Sequence, residues 1–283
     1  MKSLHPNNIH NKGYDFTLLK EKYPAITKFV VEKYEKETID FSNPEAVKTF
    51  NKALLSAHYG IAHWEFPDEN LCPPIPGRVD YIHHLADLIG NEKQAHVLDV
   101  GTGATCIYTL LGKAVYNWNF TATDIDADSL AVAQKIIDKN GLAQSIKLRF
   151  QKDENHILKG ILKEKDAFTA TMCNPPFYKS LEEARGANRR KSRNLGNNTV
   201  RNFAGNENEL WYVGGEKAFL HTYLYESSLR PEASKWFTSL VSKKENVESL
   251  QKSAKKLGVK TFKVIPMHQG NKVTRIVCWS FKK

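Results

Sequence analysis

The sequence predicts an α/β fold: an open, mostly parallel sheet flanked by helices, its last strand antiparallel, with a small helical module in front. Three observations carry this. From Ala95 onward, short apolar runs of strand length alternate with helix-like segments. The first run leads directly into Gly101-Thr102-Gly103 and a helix start, a strand, turn and helix sequence of the kind that opens doubly wound sheets. The last two runs, Lys260 to Ile265 and Thr274 to Phe281, are joined too closely for a crossover and must pair antiparallel.

The chain has 283 residues, 41% of them hydrophobic, enough for one large core or one domain with a smaller companion. A boundary is expected near residue 90, with a helical module and connector over 1–90 and the sheet domain over 91–283. The net charge of +10 favours a polyanionic partner. Nucleic acid is preferred to a membrane surface because no basic amphipathic helix with a bulky apolar face stands out. No stretch approaches the roughly 18 apolar residues of a membrane span, and the opening residues lack the apolar centre of a signal peptide, so a cytoplasmic protein is expected. Cys72, Cys106, Cys173 and Cys278 are scattered without short spacing and read as reduced thiols. The histidines show no ligand spacing, and no metal is expected.

Residues 1 to about 14 are polar and rich in His, Asn and Lys, which reads as a flexible arm, either solvated or touching nucleic acid. Helical patterns follow over Phe16 to Lys22 and Ala25 to Tyr34. Asn43-Pro44 then caps and opens a helix that closes near Gly60. Leu71 to Arg78 holds too many prolines for regular structure and is expected to be a connector, with a helix from Tyr81 to Ile89 after it.

Ala95 to Val100 is a buried-strand run. The two glycines after it let backbone N–H groups approach a ligand that a side chain would block. A dinucleotide fingerprint would need Gly or Ala at 106, where this chain has Cys106; the form present is Asp-x-Gly-x-Gly, with Asp99 ahead of Gly101 and Gly103. The second strand ends at Asp124, placed to accept hydrogen bonds from two ribose hydroxyls, with Asp126 in reserve and Asp126 or Asp128 capping the next helix. After the third strand, Ile146 to Phe150, the polar segment around Asp153 sits beside an expected nucleobase. The fourth strand, Phe168 to Cys173, ends at Asn174-Pro175-Pro176-Phe177.

That last turn carries the chemistry. The Asn174 side chain offers an acceptor, two prolines remove N–H donors, and Phe177 adds a flat apolar face. Two neutral acceptors can hold both hydrogens of an exocyclic amino group and leave its lone pair free. Asn174, Pro175 and Phe177 are therefore the candidate catalytic residues. Gly101, Asp124, Asp153 and Asn174 all follow strands, so they converge on one sheet edge. From Tyr178 to Ala204 the chain carries seven basic residues against two acidic ones, a long loop expected to contact phosphates. Beyond it lie a helix from Lys217, a strand from Lys235 to Val241 and a helix from Val247 to Leu257.

The Asp99 to Gly103 motif resembles motif I of Rossmann-like class I S-adenosylmethionine-dependent methyltransferases. The whole chain resembles the ribosomal RNA large subunit methyltransferase F family, and more distantly methyltransferase-like protein sixteen. The resemblance rests on Pro74 to Arg78, Asp99 to Ala104, Asn174 to Phe177, Arg193 to Gly196, Gly214 to Glu216 and Trp279 to Phe281. It implies S-adenosylmethionine as cofactor, bound through Arg78, Asp99, Gly101, Gly103, Asp124 and Asp153. It also implies methylation of the 6-amino group of an adenine in 23S ribosomal RNA; the partner expected is that RNA or a large-subunit assembly intermediate, and a monomer is expected. The rival readings are the same fold acting on a protein glutamine or a DNA adenine, and an RNA-binding factor without catalysis.

Overall fold

The computed structural model describes residues 3–90, 92, 94–176, 178–180, 182–183, 211–269 and 272–282. Helix α1 (Phe16–Lys22) is capped by Asp15, whose side chain accepts from the Leu18 N–H. The expected second helix is instead a 3-10 turn (Pro24–Phe29) and a hairpin of β1 (Val30–Lys33) and β2 (Lys36–Ile39). The β-branched pair Val30-Val31 and the opposing Thr38 and Ile39 suit extended backbone. Tyr34 and Glu35 both take positive φ, the geometry of a two-residue hairpin turn. Helix α2 (Pro44–Tyr59) begins and ends as the residues foretell: Asn43 accepts from the Glu45 and Ala46 N–H groups, and Gly60 closes it at φ 67.

Two expectations for the N-terminal region are corrected. The first residues are not a free arm: His5, Asn8 and His10 are buried. The Asp80 carboxylate is the reason, since its Oδ1 accepts from the His5 N–H at 2.7 Å and the Asn8 amide at 3.0 Å. A buried charge needs such partners, and polar residues near the start supply them. The connector also ends earlier than expected, because helix α3 (Ile75–Ile89) starts six residues before Tyr81. A proline in the first turn of a helix forfeits no hydrogen bond, so Pro76 does not break it and Arg78 becomes a first-turn residue.

The sheet comprises β3 (His96–Val100), β4 (Asn119–Asp124), β5 (Ile146–Phe150), β6 (Phe168–Cys173), β7 (Ser234–Val241), β8 (Thr261–Gln269) and β9 (Lys272–Ser280). Their order is β5-β4-β3-β6-β7-β9-β8, all parallel except β9, which runs antiparallel between β7 and β8. Helices α4 (Ile107–Tyr116), α5 (Ala127–Lys139), α6 (Gly215–Leu229) and α7 (Lys244–Lys256) complete the fold. Alternate strand residues feed two cores on opposite faces: Val97 and Phe120 join the α2, α3 and α4 side, while Leu98, Phe168 and Trp279 join the α6 and α7 side. The first core also takes in Leu19, Leu54 and Trp64, so apolar packing is continuous from the N-terminal helices to the sheet. Two polar ties reinforce it, from the Trp64 indole to the Thr105 carbonyl at 3.0 Å and from the Ala62 and His63 N–H groups to Asn140.

Strands β3, β4 and β5 run outward to one side, and β6 returns to the other side of β3. Ligands bind at such a reversal, beyond the carboxyl ends of the strands. Val100 pairs in register with Thr123 and Cys173, and Asp124 with Phe150. The residues that follow these positions therefore meet at one edge.

Candidate active site

A cavity opens at that edge, walled by Gly101, Thr102, Gly103, Asp124, Gln151 and Asn174 from the strand ends and by Arg78 and Tyr108 from α3 and α4. The turn after β3 is pinned by the Gly101 and Thr102 N–H groups, both donating to the Thr123 carbonyl at 2.9 Å. Gly101 has φ +73, and a Cβ built on it would meet nothing within 4 Å. The backbone there faces open space that a ligand can approach closely.

Asp124 is held at its strand end by two amides, Gly103 N–H to Oδ2 at 2.8 Å and Asp126 N–H to Oδ1 at 3.0 Å. Burial pushes its carboxyl above the ordinary range, and those amides pull it part of the way back. Asp126 has the other role foreseen for it, as the N-cap of α5. Asp99 lies beneath the turn, 1% exposed, and among the described residues neither carboxylate oxygen has a hydrogen bond of good geometry, although the Thr102 hydroxyl lies close enough to act on it. Burial pushes its carboxyl up to about 7; Asp124 adds to this, while Thr102 and Arg78 oppose it. Arg78 donates from Nη1 to the Tyr108 hydroxyl at 2.9 Å, and its Nε is buried without a partner.

At the turn after β6, the Asn174 Oδ1 is buried and accepts no hydrogen bond from any described residue. Pro176 lines the cavity, and Pro175 is buried behind it. Phe177, residue 181 and residues 184–210, and with them most of the basic loop 178–204, lie outside the described residues. The residues on either side of that segment are paired: Tyr178 bridges to Trp211, and the Tyr212 N–H donates to the Tyr178 carbonyl at 3.1 Å. Trp211 and Tyr212 both reach the cavity wall.

Asp153 is not on the wall of that cavity itself but lines a pocket adjoining it, which shares Ile125, Gln151 and Glu154 with it. Its carboxylate accepts from the Asn155 backbone and side chain, both at 3.0 Å, and shapes a turn. Gln151, Glu154, His156 and Ile157 line the wall in its place. That wall is anchored by Glu226 on α6, whose Oε2 accepts from the Ile157, Leu158 and Lys159 N–H groups at 2.9, 2.6 and 2.9 Å. Its Oε1 is hydrogen-bonded to His156 Nδ1 at 2.8 Å. Gln151 could have been found by the strand-end rule that found Asp124. Tyr108 and Trp211 have no motif, and Glu226 sits in mid-helix, where sequence gives no sign of a partner 67 to 70 residues away.

Unpartnered buried polar atoms are rare in folded proteins. Here Arg78 Nε, both Asp99 oxygens, Thr102 Oγ1, Asn174 Oδ1 and Trp211 Nε1, all without a partner among the described residues, gather in or beneath one cavity. Cation, carboxylate and neutral amide together fit a ligand with an amino-acid end and a nucleoside end. The reversed strand β9, the glycine turn and the carboxylate after β4 define a Rossmann-like S-adenosylmethionine-dependent methyltransferase, and this protein is one. The profile of a family described as RNA methyltransferase matches residues 1–283, and the chain belongs to that family.

Ribosomal RNA large subunit methyltransferase F of Shewanella sp. (strain MR-4) is 49% identical over 297 residues, spanning 99% of this chain and 82% of the relative. The protein of that name from Pectobacterium carotovorum subsp. carotovorum (strain PC1) is 47% identical, spanning 98% and 93%. Among solved structures, the hMettl16 catalytic domain in complex with MAT2A 3'UTR hairpin 1 superposes with a TM-score of 0.87 at 31% identity, covering 100% of this chain and 96% of that one. The N-terminal domain of human METTL16 in complex with SAH gives a TM-score of 0.79 at 28% identity, with both chains fully covered at 100%.

Proposed function

We propose that this protein methylates the 6-amino group of one adenine in 23S ribosomal RNA, with S-adenosylmethionine as donor. The observation that carries the proposal is the Asn174 amide oxygen, a buried acceptor on the cavity wall without a partner among the described residues, beside two prolines that have no N–H to offer it. Relatives named for ribosomal RNA and a neighbour solved with an RNA hairpin support the polymer, as does the net charge of +10.

In this reading the Gly101 and Gly103 turn cradles the cofactor, Asp124 accepts from the ribose hydroxyls, and Arg78 meets the carboxylate of its amino-acid end. Asp99 braces the turn from below. Gln151 and Glu154 face the nucleobase where Asp153 was expected. Bound S-adenosylmethionine supplies a methyl group already activated by a sulfonium, so the chain has only to position the amine. Asn174 Oδ1 accepts one amino hydrogen and the Pro175 carbonyl the other, which turns the nitrogen lone pair away from the wall. Phe177 is assigned to stack on the base. A flipped-out adenine fits a site of this shape, because a base within a duplex could not reach the sheet edge. The enzyme acts as a monomer in this reading.

The test is Asn174→Ala. Turnover on ribosomal RNA isolated from a deletion strain should vanish while S-adenosylhomocysteine affinity stays within a few-fold of wild type. Retained methylation would refute the assignment. Running the assay with free RNA, a large-subunit intermediate, DNA and protein identifies the polymer by which one takes up label.

A further inference from the structure

We infer that Trp211 is a specificity residue: its indole N–H donates to a ring nitrogen of the target adenine, completing the edge that Asn174 begins to read. The inference rests on the proposed function and deepens it.

Trp211 Nε1 is buried and no described residue accepts from it. An indole N–H can only donate, so a buried one without an acceptor is held at a cost that a ligand can relieve. Its place in the fold says which ligand. Trp211 bridges to Tyr178, four residues beyond Asn174, so it stands with the acceptor turn rather than with the glycine turn that cradles the cofactor. It is fixed from behind as well. Tyr212 packs edge-on against Phe219 with centroids 5.3 Å apart, and its carbonyl accepts from the Gly215 N–H at 2.7 Å. Gly215 can make that turn because its φ is +70, and a Cβ there would come within 2.7 Å of Lys179.

The wall thus offers an unpartnered acceptor, Asn174 Oδ1, and an unpartnered donor, Trp211 Nε1. Adenine presents the complement on either edge: amino hydrogens beside an acceptor nitrogen, N1 on one side and N7 on the other. Guanine presents a carbonyl in place of the amino group, so its oxygen would face the Asn174 oxygen. Uracil fails in the same way. Cytosine matches the pattern and is left to be excluded by size, since a single ring leaves the wall partly unfilled.

The experiment first maps the nucleotide methylated by wild-type enzyme in ribosomal RNA from a deletion strain, then uses synthetic RNA hairpins spanning it. The target position carries adenosine, 1-deazaadenosine or 7-deazaadenosine. One of the two analogues should lower wild-type kcat/KM by about tenfold, the worth of one hydrogen bond. Trp211→Phe, which keeps a ring and removes the N–H, should lower kcat/KM on adenosine by a similar factor, with S-adenosylhomocysteine affinity unchanged. The decisive reading is that this analogue costs the variant nothing further. Losses that multiply, or a wild-type enzyme indifferent to both analogues, overturn the inference even if the variant folds poorly. Absence of any methylated adenine in the mapping step refutes instead the proposed function.

Discussion

Removing Glu226 should loosen the cavity wall without touching any ligand. Its Oε2 gathers three successive amides, Ile157, Leu158 and Lys159, and the first two of these bonds are buried. In Glu226→Ala those two donors lose their acceptor, and an unmet buried N–H costs about 1–3 kcal/mol, so the pair amounts to roughly 2–6 kcal/mol. At about 2–4 °C per kcal/mol for a chain of this size, the melting temperature should fall by roughly 5–20 °C. Glu226→Gln keeps a carbonyl oxygen in the place of Oε2 and sets an NH2 in the place of Oε1 opposite His156 Nδ1, a smaller loss of about 1–2 kcal/mol and a few degrees. Because His156 and Ile157 face the cavity, S-adenosylhomocysteine affinity should weaken in the same order, alanine more than glutamine. Thermal denaturation and calorimetric titration of the three proteins give both readings. If the alanine variant melts with wild type, or melts lower with cofactor affinity unchanged, the account of how this wall is held is wrong.

Acid should unfold the N-terminal region first. Burial, with His58 and His83 adding, lowers His10 to about 4, and burial, with His5 adding, lowers His83 to about 4. The folded state therefore binds fewer protons than the unfolded state, and the stability these groups contribute is full above pH 6.5 and lost as pH falls toward 4. His10→Gln, which can still meet the Tyr59 hydroxyl, should flatten the slope of unfolding free energy between pH 4.5 and 6.5 by up to about 1.4 kcal/mol per pH unit; an unchanged slope refutes the assignment. Asp99 acts in the opposite sense: with its carboxyl raised to about 7, its contribution is complete below pH 4 and lost as pH rises through 7. Asp99→Asn should accordingly raise cofactor-free stability at pH 8, and a lowered melting point there would contradict it. Gly112→Ala should destabilise by about 1–3 kcal/mol despite the better helix former, because the added Cβ would lie 2.4 Å from the Phe120 ring. Urea unfolding checks this, and an unaltered midpoint would refute it.

The sheet domain was legible because its information is local. The central strands β3, β4 and β6 are short apolar runs closed by a polar or glycine turn, and the strand-end rule places Gly101, Asp124 and Asn174 on one edge. What escaped the sequence was decided by tertiary partners. The first fourteen residues read as a loose arm, and it takes Asp80, buried 72 to 75 residues away, to bind them down. Ala25 to Tyr34 carries a helix-like pattern, yet the β-branched residues from Val30 to Ile39 and a turn at Tyr34-Glu35 make a hairpin against α2. Asp153 obeys the strand-end rule in sequence, and a local turn sets it in the adjoining pocket, leaving the main wall to Gln151 and Glu154. Trp211 and Glu226 could not be seen at all, because each draws its meaning from a neighbour distant along the chain.

The bridge between Tyr178 and Trp211 also sets terms for how such enzymes can diversify. With both anchors tied to each other, the cost of closing the intervening stretch rises only logarithmically with its length, about 0.6 kcal/mol for each doubling. Chain can be added, trimmed or exchanged between those two tyrosine and tryptophan posts while the cofactor edge keeps its shape.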